Sequence, residues 1–451
     1  MRDRHLKNTV SEVSGLAALA APLVAGLTAS TGVSLVDTAM LGPLGATPLA
    51  AVSLASSVAI LFYAALYGFA GPVGLFAGRC HGAGDLPGMG RVARHGAWLS
   101  AAGGIAGALL MMAFLPALSY LGQPAEVLAV ITPYWLCIAA LLIPYTVGLV
   151  AKNLLDASDQ AWAGAWLTFG AVGFNVLFNW VLIYGNWGFP ALGLTGAGIA
   201  SLLAQTLGAA LLWAYVRFKP SLRAWWAPCG VERAEFQRQW REGLPMTVQY
   251  FFEGAAVSVA GVMIGAFGAV QLAGNQIAQA VGSTLYMLPL GIAGAVTIRV
   301  AQAAGAEESH RIGPIGFAGL GVVTVWMGAF ALTFLLAGEW IAALFVNDPA
   351  VIAAAAAIFF VFGFTQLMDG VQSVSLGALR GMLDNQWPTR VSLVAYWLIA
   401  LPLSALFGFA FHWGAPGVWA GFGVGLAVAA ALLARRFVRL QRRARAQRAV
   451  G

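Results

Sequence analysis

Long apolar runs follow one another along almost the whole chain, and they fix the class of fold before any motif is considered. A run of about 18 or more apolar residues reads as a membrane-crossing helix. Twelve such stretches are predicted, at 14–41, 48–78, 95–117, 128–151, 162–185, 192–217, 244–267, 273–301, 314–338, 350–378, 389–411 and 415–437. Several contain Gly or Pro, which membrane helices tolerate. Charged residues make up only 9% of the 451 and hydrophobic residues 60%. An average globular domain carries roughly a quarter charged residues. That deficit excludes an ordinary cytoplasmic enzyme and a disordered chain. Three distant cysteines, Cys80, Cys137 and Cys229, offer no disulfide framework. The first stretch is too long for a signal peptide, and the bundle continues from it.

The basic residues set the expected orientation. Arg2, Arg4 and Lys7 precede the first stretch. Arg79, Arg91, Arg94, Lys152, the Arg217–Arg241 group, Arg299, Arg311, Arg380 and Arg390 occupy alternate loops, and Arg435 to Arg448 form the tail. The opposite loops hold only Glu126, Glu339 and Asp348. The positive-inside rule then predicts a multi-pass protein of the bacterial inner membrane with both termini cytoplasmic. This distribution accounts for the net charge of +7 without nucleic acid. The basic tail reads as a membrane-surface helix in contact with lipid.

Shifting the chain by 223 residues aligns its halves without a gap, with about 14 of 42 positions identical over 42–83 against 265–306. Gly68 falls on Gly291, Ala70-Gly71 on Ala293-Gly294, and Tyr63 on Tyr286. Six helices per repeat start both halves on the same side, which predicts two six-helix lobes related by a pseudo-two-fold axis along the membrane normal. The expected divisions are an N-terminal lobe at 1–218, a cytoplasmic linker at 219–243, a C-terminal lobe at 244–440 and a basic tail at 441–451. Two facing lobes form a central cavity, the architecture of alternating access.

Three acidic residues sit inside the predicted spans: Asp37, Glu253 and Asp369. Each costs about 2.5–3.5 kcal/mol at mid-membrane on insertion scales. No Lys or Arg lies mid-span to pair with them, so they are expected to face the interior or water. There a carboxyl binds a proton or, when ionised, a monovalent cation. Glu253 and Asp369 fall at similar depth and could share one ion. Asn175 and Asn179 stand one turn apart and can face the same cavity. Gln249, Asn275 and Gln276 are further polar candidates, and Tyr250, Phe251, Phe252, Tyr286 and Trp397 could hold an amphiphilic ligand. Polar amides also serve as plain interhelical glue, and membrane aromatics as packing. No Walker A motif is present, and the histidines (His5, His81, His95, His310, His412) lack metal-ligand spacing.

At these residues the chain resembles the multidrug and toxic compound extrusion (MATE) transporters, in their NorM-like bacterial branch. The similar segments are Val36-Asp37-Thr38-Ala39-Met40-Leu41-Gly42, Asn175-Val176-Leu177-Phe178-Asn179, Gly243-Leu244-Pro245, Phe251-Phe252-Glu253, Ala273-Gly274-Asn275-Gln276, Met368-Asp369-Gly370-Val371-Gln372 and Leu379-Arg380-Gly381. The resemblance implies an antiporter, not an enzyme, that exports amphiphilic and often cationic compounds in exchange for Na⁺ or H⁺, with no cofactor and as a monomer. It places Glu253 and Asp369 at the cation site, as Na⁺ ligands if the ion is Na⁺, and Asp37 in proton or drug coupling. Thr365 stands where the family often has Tyr, and Asn179 where another branch has Asp, which leaves the coupling ion open. The rival readings are a flippase for lipid-linked precursors, which needs a basic cavity, an uncoupled channel-like protein, and an exporter dedicated to one metabolite.

Overall fold

The computed structural model describes residues 2–121, 124–226 and 230–450. Cys229, residues 227–229 of the expected linker and Gly451 of the tail lie outside them. Among the described residues there is no strand, and twelve helices are long and apolar enough to cross a membrane. They are α1 Arg2–Leu41, α2 Ala46–Gly82, α3 Leu86–Phe114, α4 Ala125–Asp156, α5 Ala161–Tyr184, α6 Gly193–Phe218, α7 Arg233–Gly265, α8 Ala269–Gly305, α9 Ser309–Ala343, α10 Pro349–Gly381, α11 Gln386–Ala410 and α12 Gly414–Val450. All twelve sequence stretches fall on these helices. Most helices outrun their apolar stretch, because the polar turns at their ends stay helical.

The ends follow local chemistry. Asp85 caps α3 by accepting from Gly88 N at 2.9 Å, and Asp348 caps α10 from Ala350 N at 2.9 Å, each with Pro following. Helix α5 stops at Gly185, which takes the left-handed conformation (φ 75°). The stretch expected as a linker is structured on both sides of its undescribed centre. Pro220–Trp226 forms a 3₁₀ helix, and the residues from Arg233 are the first turns of α7.

The chain divides into two compact units. One comprises Met1–Val24 with Phe252–Gly451, the other Ala25–Phe251. The divisions fall inside α1 and α7, each a few residues beyond a proline, Pro22 and Pro245. Pro245 occupies the position that the 223-residue offset assigns to Pro22.

Within the first unit, the start of α1 is fixed by charge. Glu12 is buried, and Arg299 Nη2 donates to its Oε2 at 2.9 Å while Arg311 Nε donates to its Oε1 at 2.8 Å. Helices α8 and α10 approach closely in this unit: a Cβ on Gly381 would lie 2.7 Å from the Thr297 carbonyl oxygen, so only Gly fits. Leu16, Ile292, Val296, Ile315, Leu379 and Phe437 pack there, and Phe359, Phe362, Tyr396 and Trp419 form a second core.

Within the other unit, Trp135, Ile131, Leu142 and Met111 pack together, with Trp135 Nε1 donating to the Met111 carbonyl at 2.8 Å. Leu222 and Trp225 of the 3₁₀ helix are buried among Met89, Leu154 and Leu155. Glu235, at the offset-equivalent position of Glu12, is buried and accepts from Gln239, whose amide also donates to the Val92 carbonyl at 3.0 Å.

Candidate functional site

Two polar groups built around intramembrane carboxyls stand out, one in each unit. In the 25–251 unit, Asp37 of α1 meets Asn175 and Asn179 of α5 and Ser201 of α6. Asn179 Nδ2 donates to Asp37 Oδ1 at 2.6 Å and to Asn175 Oδ1 at 3.1 Å. Asn175 Nδ2 donates to Ser201 Oγ at 3.2 Å, and the Ser201 hydroxyl donates to Asp37 Oδ2 at 3.2 Å. The four residues close a ring. Both asparagines are buried to within 1%. Asn179 Oδ1 has no hydrogen-bond partner among the described residues and is left as a buried acceptor.

In the other unit, Glu253 of α7 and Asp369 of α10 are close enough to interact electrostatically. The Tyr396 hydroxyl lies 3.0 Å from Glu253 Oε1 and 3.1 Å from Gln372 Oε1. A phenol carries one hydrogen, so it serves these acceptors one at a time. Tyr286 of α8 donates to Asp369 Oδ1 at 3.2 Å and is also hydrogen-bonded to Ser373. Among the described residues, Glu253 and Asp369 each accept one hydrogen bond, and neither they nor Asp37 enters an ion pair. A carboxylate has about four lone-pair positions, so both keep acceptor capacity that a cation could fill. Arg380, near the end of α10, is a basic side chain whose charge acts on Glu253. No cluster of three or more His, Cys, Asp or Glu that could hold a metal ion occurs among the described residues.

The other sequence candidates divide. Tyr286 joins the Asp369 group, and Asn175 and Asn179 join Asp37. Thr365 is buried with its hydroxyl donating to the Val361 and Trp419 carbonyls at 3.2 and 3.1 Å, not to a carboxyl. Asn275 accepts from Trp419 Nε1 at 2.8 Å, while Gln276 is exposed. Gln249 and Tyr250 belong to the 25–251 unit, where Gln249 is buried and Tyr250 meets the edge of Tyr67 at 5.4 Å. Trp397 spends its indole N–H on the Phe252 carbonyl at 3.1 Å. Sequence reasoning missed Ser201, Gln372, Ser373 and Tyr396 as site residues.

Comparison with known proteins places this geometry in a family. The MatE family model matches residues 22–181 and again 245–406, its two starts separated by the offset read from the sequence. The chain is 34% identical over 454 residues to "Probable multidrug resistance protein NorM" of Deinococcus radiodurans, covering 97% of this chain and 98% of that one. It is 32% identical over 436 residues to the protein of the same name from Rhizobium meliloti, covering 94% and 93%. Among solved structures, a MATE protein in a bent conformation superposes with a TM-score of 0.87 at 19% identity over 99% of both chains. The eukaryotic MATE transporter AtDTX14 gives 0.86 at 20% identity, over 98% of this chain and 99% of its own. The protein is therefore an all-α, twelve-helix, multi-pass membrane protein, and it belongs to the MatE family of transporters.

Proposed function

We propose that this protein is a cation-coupled antiporter that exports amphiphilic, often cationic, drugs or toxic compounds by alternating access. The observation that carries this reading is the state of the three intramembrane acids. Each is held by hydroxyls or amides alone, and Glu253 and Asp369 retain unused acceptor capacity. Unpaired charge in a membrane is expensive and marks ion and substrate paths. The names of the NorM relatives, as multidrug resistance proteins, agree with it.

In the proposed cycle, Glu253 and Asp369 take up Na⁺ or H⁺ on the outer side. The loaded cation neutralises their charge and weakens the hold on a cationic compound, which leaves. Release of the cation on the inner side restores the charge and the affinity. One elementary charge crossing 100 mV is worth about 2.3 kcal/mol, on the scale of a typical coupling free energy of about 1–3 kcal/mol. The distribution of Lys and Arg supports an inner-membrane location with cytoplasmic termini. The repeat supports a division into lobes at 1–218 and 244–440, joined through 219–243 and followed by the 441–451 tail. No cofactor is expected.

A likeness in fold does not fix the cargo. A solved transporter from Pyrococcus furiosus with a TM-score of 0.85 is described as having a binding pocket of reversed polarity that suggests a different function. A flippase handling pyrophosphate needs basic side chains, whereas both clusters here are acidic. The deciding experiment is dye efflux from proteoliposomes under separately imposed Na⁺ and proton gradients. The wild-type protein is expected to respond to at least one gradient, and Glu253→Gln to neither, with normal membrane insertion. Wild-type efflux indifferent to both gradients would overturn the reading.

A further inference from the structure

Helix α11 leaves ordinary α spacing at Val394–Ala400, where it runs as a π-helix. Widened turns of this kind concentrate at functional sites. Successive residues of an α-helix point about 100° apart, so neighbours rarely grip the same place. Here two neighbours do. Trp397 Nε1 donates to the Phe252 carbonyl at 3.1 Å, and the Tyr396 hydroxyl donates to Glu253 Oε1 at 3.0 Å. Trp397 also meets the Phe252 ring edge-on at 5.6 Å. Tyr396 is only 3% exposed, and its ring stands against the edge of Phe422 at 5.5 Å. Its oxygen also faces Gln372. The ring is thus fixed from α12, and the single hydroxyl hydrogen goes to α7 or to α10 in turn. Phe252 is also the residue at which α7 passes from one compact unit to the other.

We propose that Tyr396 and Trp397 are positioning residues that set the direction and depth of Glu253, and through it the affinity for the driving cation. This deepens the export reading and rests on it. Trp397 fixes the backbone one residue before the acid, and Tyr396 fixes the carboxyl itself. The π-turn lets both act on one step of α7.

The test compares wild-type, Tyr396→Phe and Trp397→Phe proteins, with Tyr63→Phe in the other unit as a control. Two readouts are taken: displacement of bound ethidium from detergent-purified protein by NaCl or by acid, and ethidium efflux from proteoliposomes under each gradient. A hydrogen bond to a charged group is worth about tenfold or more in an equilibrium. Tyr396→Phe is expected to raise the NaCl concentration for half-displacement about tenfold, and to lower the acid concentration needed, because the lost donor favoured the ionised carboxylate, while ethidium affinity without competitor stays within about threefold. Trp397→Phe shifts displacement in the same direction by less, and Tyr63→Phe leaves it unchanged. A purely structural role would instead lower thermal stability and ethidium affinity without moving half-displacement, and that result overturns the proposal. Cation displacement in the wild type with an unchanged value in Tyr396→Phe overturns it alone. A wild-type protein that binds ethidium but shows neither displacement nor gradient-driven efflux overturns the export reading and this proposal together.

Discussion

Asp37 and Glu253 lie on helices that the internal repeat makes equivalent, yet they are not equivalent residues. The 223-residue offset places Ala260 opposite Asp37 and Ser30 opposite Glu253. Their surroundings differ as much as their positions. Both oxygens of Asp37 are engaged by neutral donors in a closed ring, and the ring leaves one buried acceptor, Asn179 Oδ1. Glu253 and Asp369 form no ring. Each takes a single bond from a tyrosine that also faces a second partner. A closed ring is stiff, because removing any member strands the others. Open branches can admit a further ligand without breaking anything. In the proposed cycle, the closed ring would keep its shape while the open branches take up and release the cation.

The comparison breaks or sharpens under mutation. The largest effect is expected for Glu253→Gln, a loss of gradient-driven efflux on the order of 100-fold, since the charge itself is removed. Asp37→Asn replaces an acceptor with a donor inside the ring. Efflux is expected to fall by about tenfold, with the cation dependence of the remainder unchanged. If Asp37→Asn also abolishes the cation response, the two clusters do not divide the work. Next come the hydroxyls. Ser201→Ala opens the ring, and about 1 kcal/mol of stability should appear as a lower melting temperature in detergent, with a severalfold weaker dye affinity. Ser373→Ala removes only an outlying partner of Tyr286, and dye efflux should change by less than about threefold. The smallest effect belongs to Thr365→Val. Its hydroxyl serves backbone carbonyls, so melting should shift by the equivalent of about 1 kcal/mol or less while half-saturating cation concentrations hold. A changed cation response there would bring Thr365 into the site.

Much of this was legible in the residues. Twelve apolar stretches are visible because the bilayer demands their length, and the three acids because charge within such stretches is rare. Ser201 and Ser373 were not visible: a hydroxyl costs little inside a membrane helix, so its placement carries no signal. Tyr396 was hidden for another reason. Its aim depends on a π-turn, and no apolar periodicity marks one. Gln249 stands one helical turn from Glu253, which suggests a shared site by spacing alone. The division of the chain into compact units falls between the two, at Phe251 and Phe252, so spacing along α7 does not by itself say which unit a side chain serves. Thr365 stands out by its place in the family motif, and only the fold shows its hydroxyl spent on the main chain.

Arg299 and Arg311 anchor Glu12, and the Val92 carbonyl anchors Gln239, so each repeat's first segment is tied to residues of the other repeat. The first segment of each repeat is counted with the bulk of the other repeat. Cutting the gene at 227–229 would therefore give two fragments that each lack part of their own packing and carry part of the other's. Such fragments should need co-expression to become stable. A single repeat built on these contacts would need a second copy with which to exchange arms.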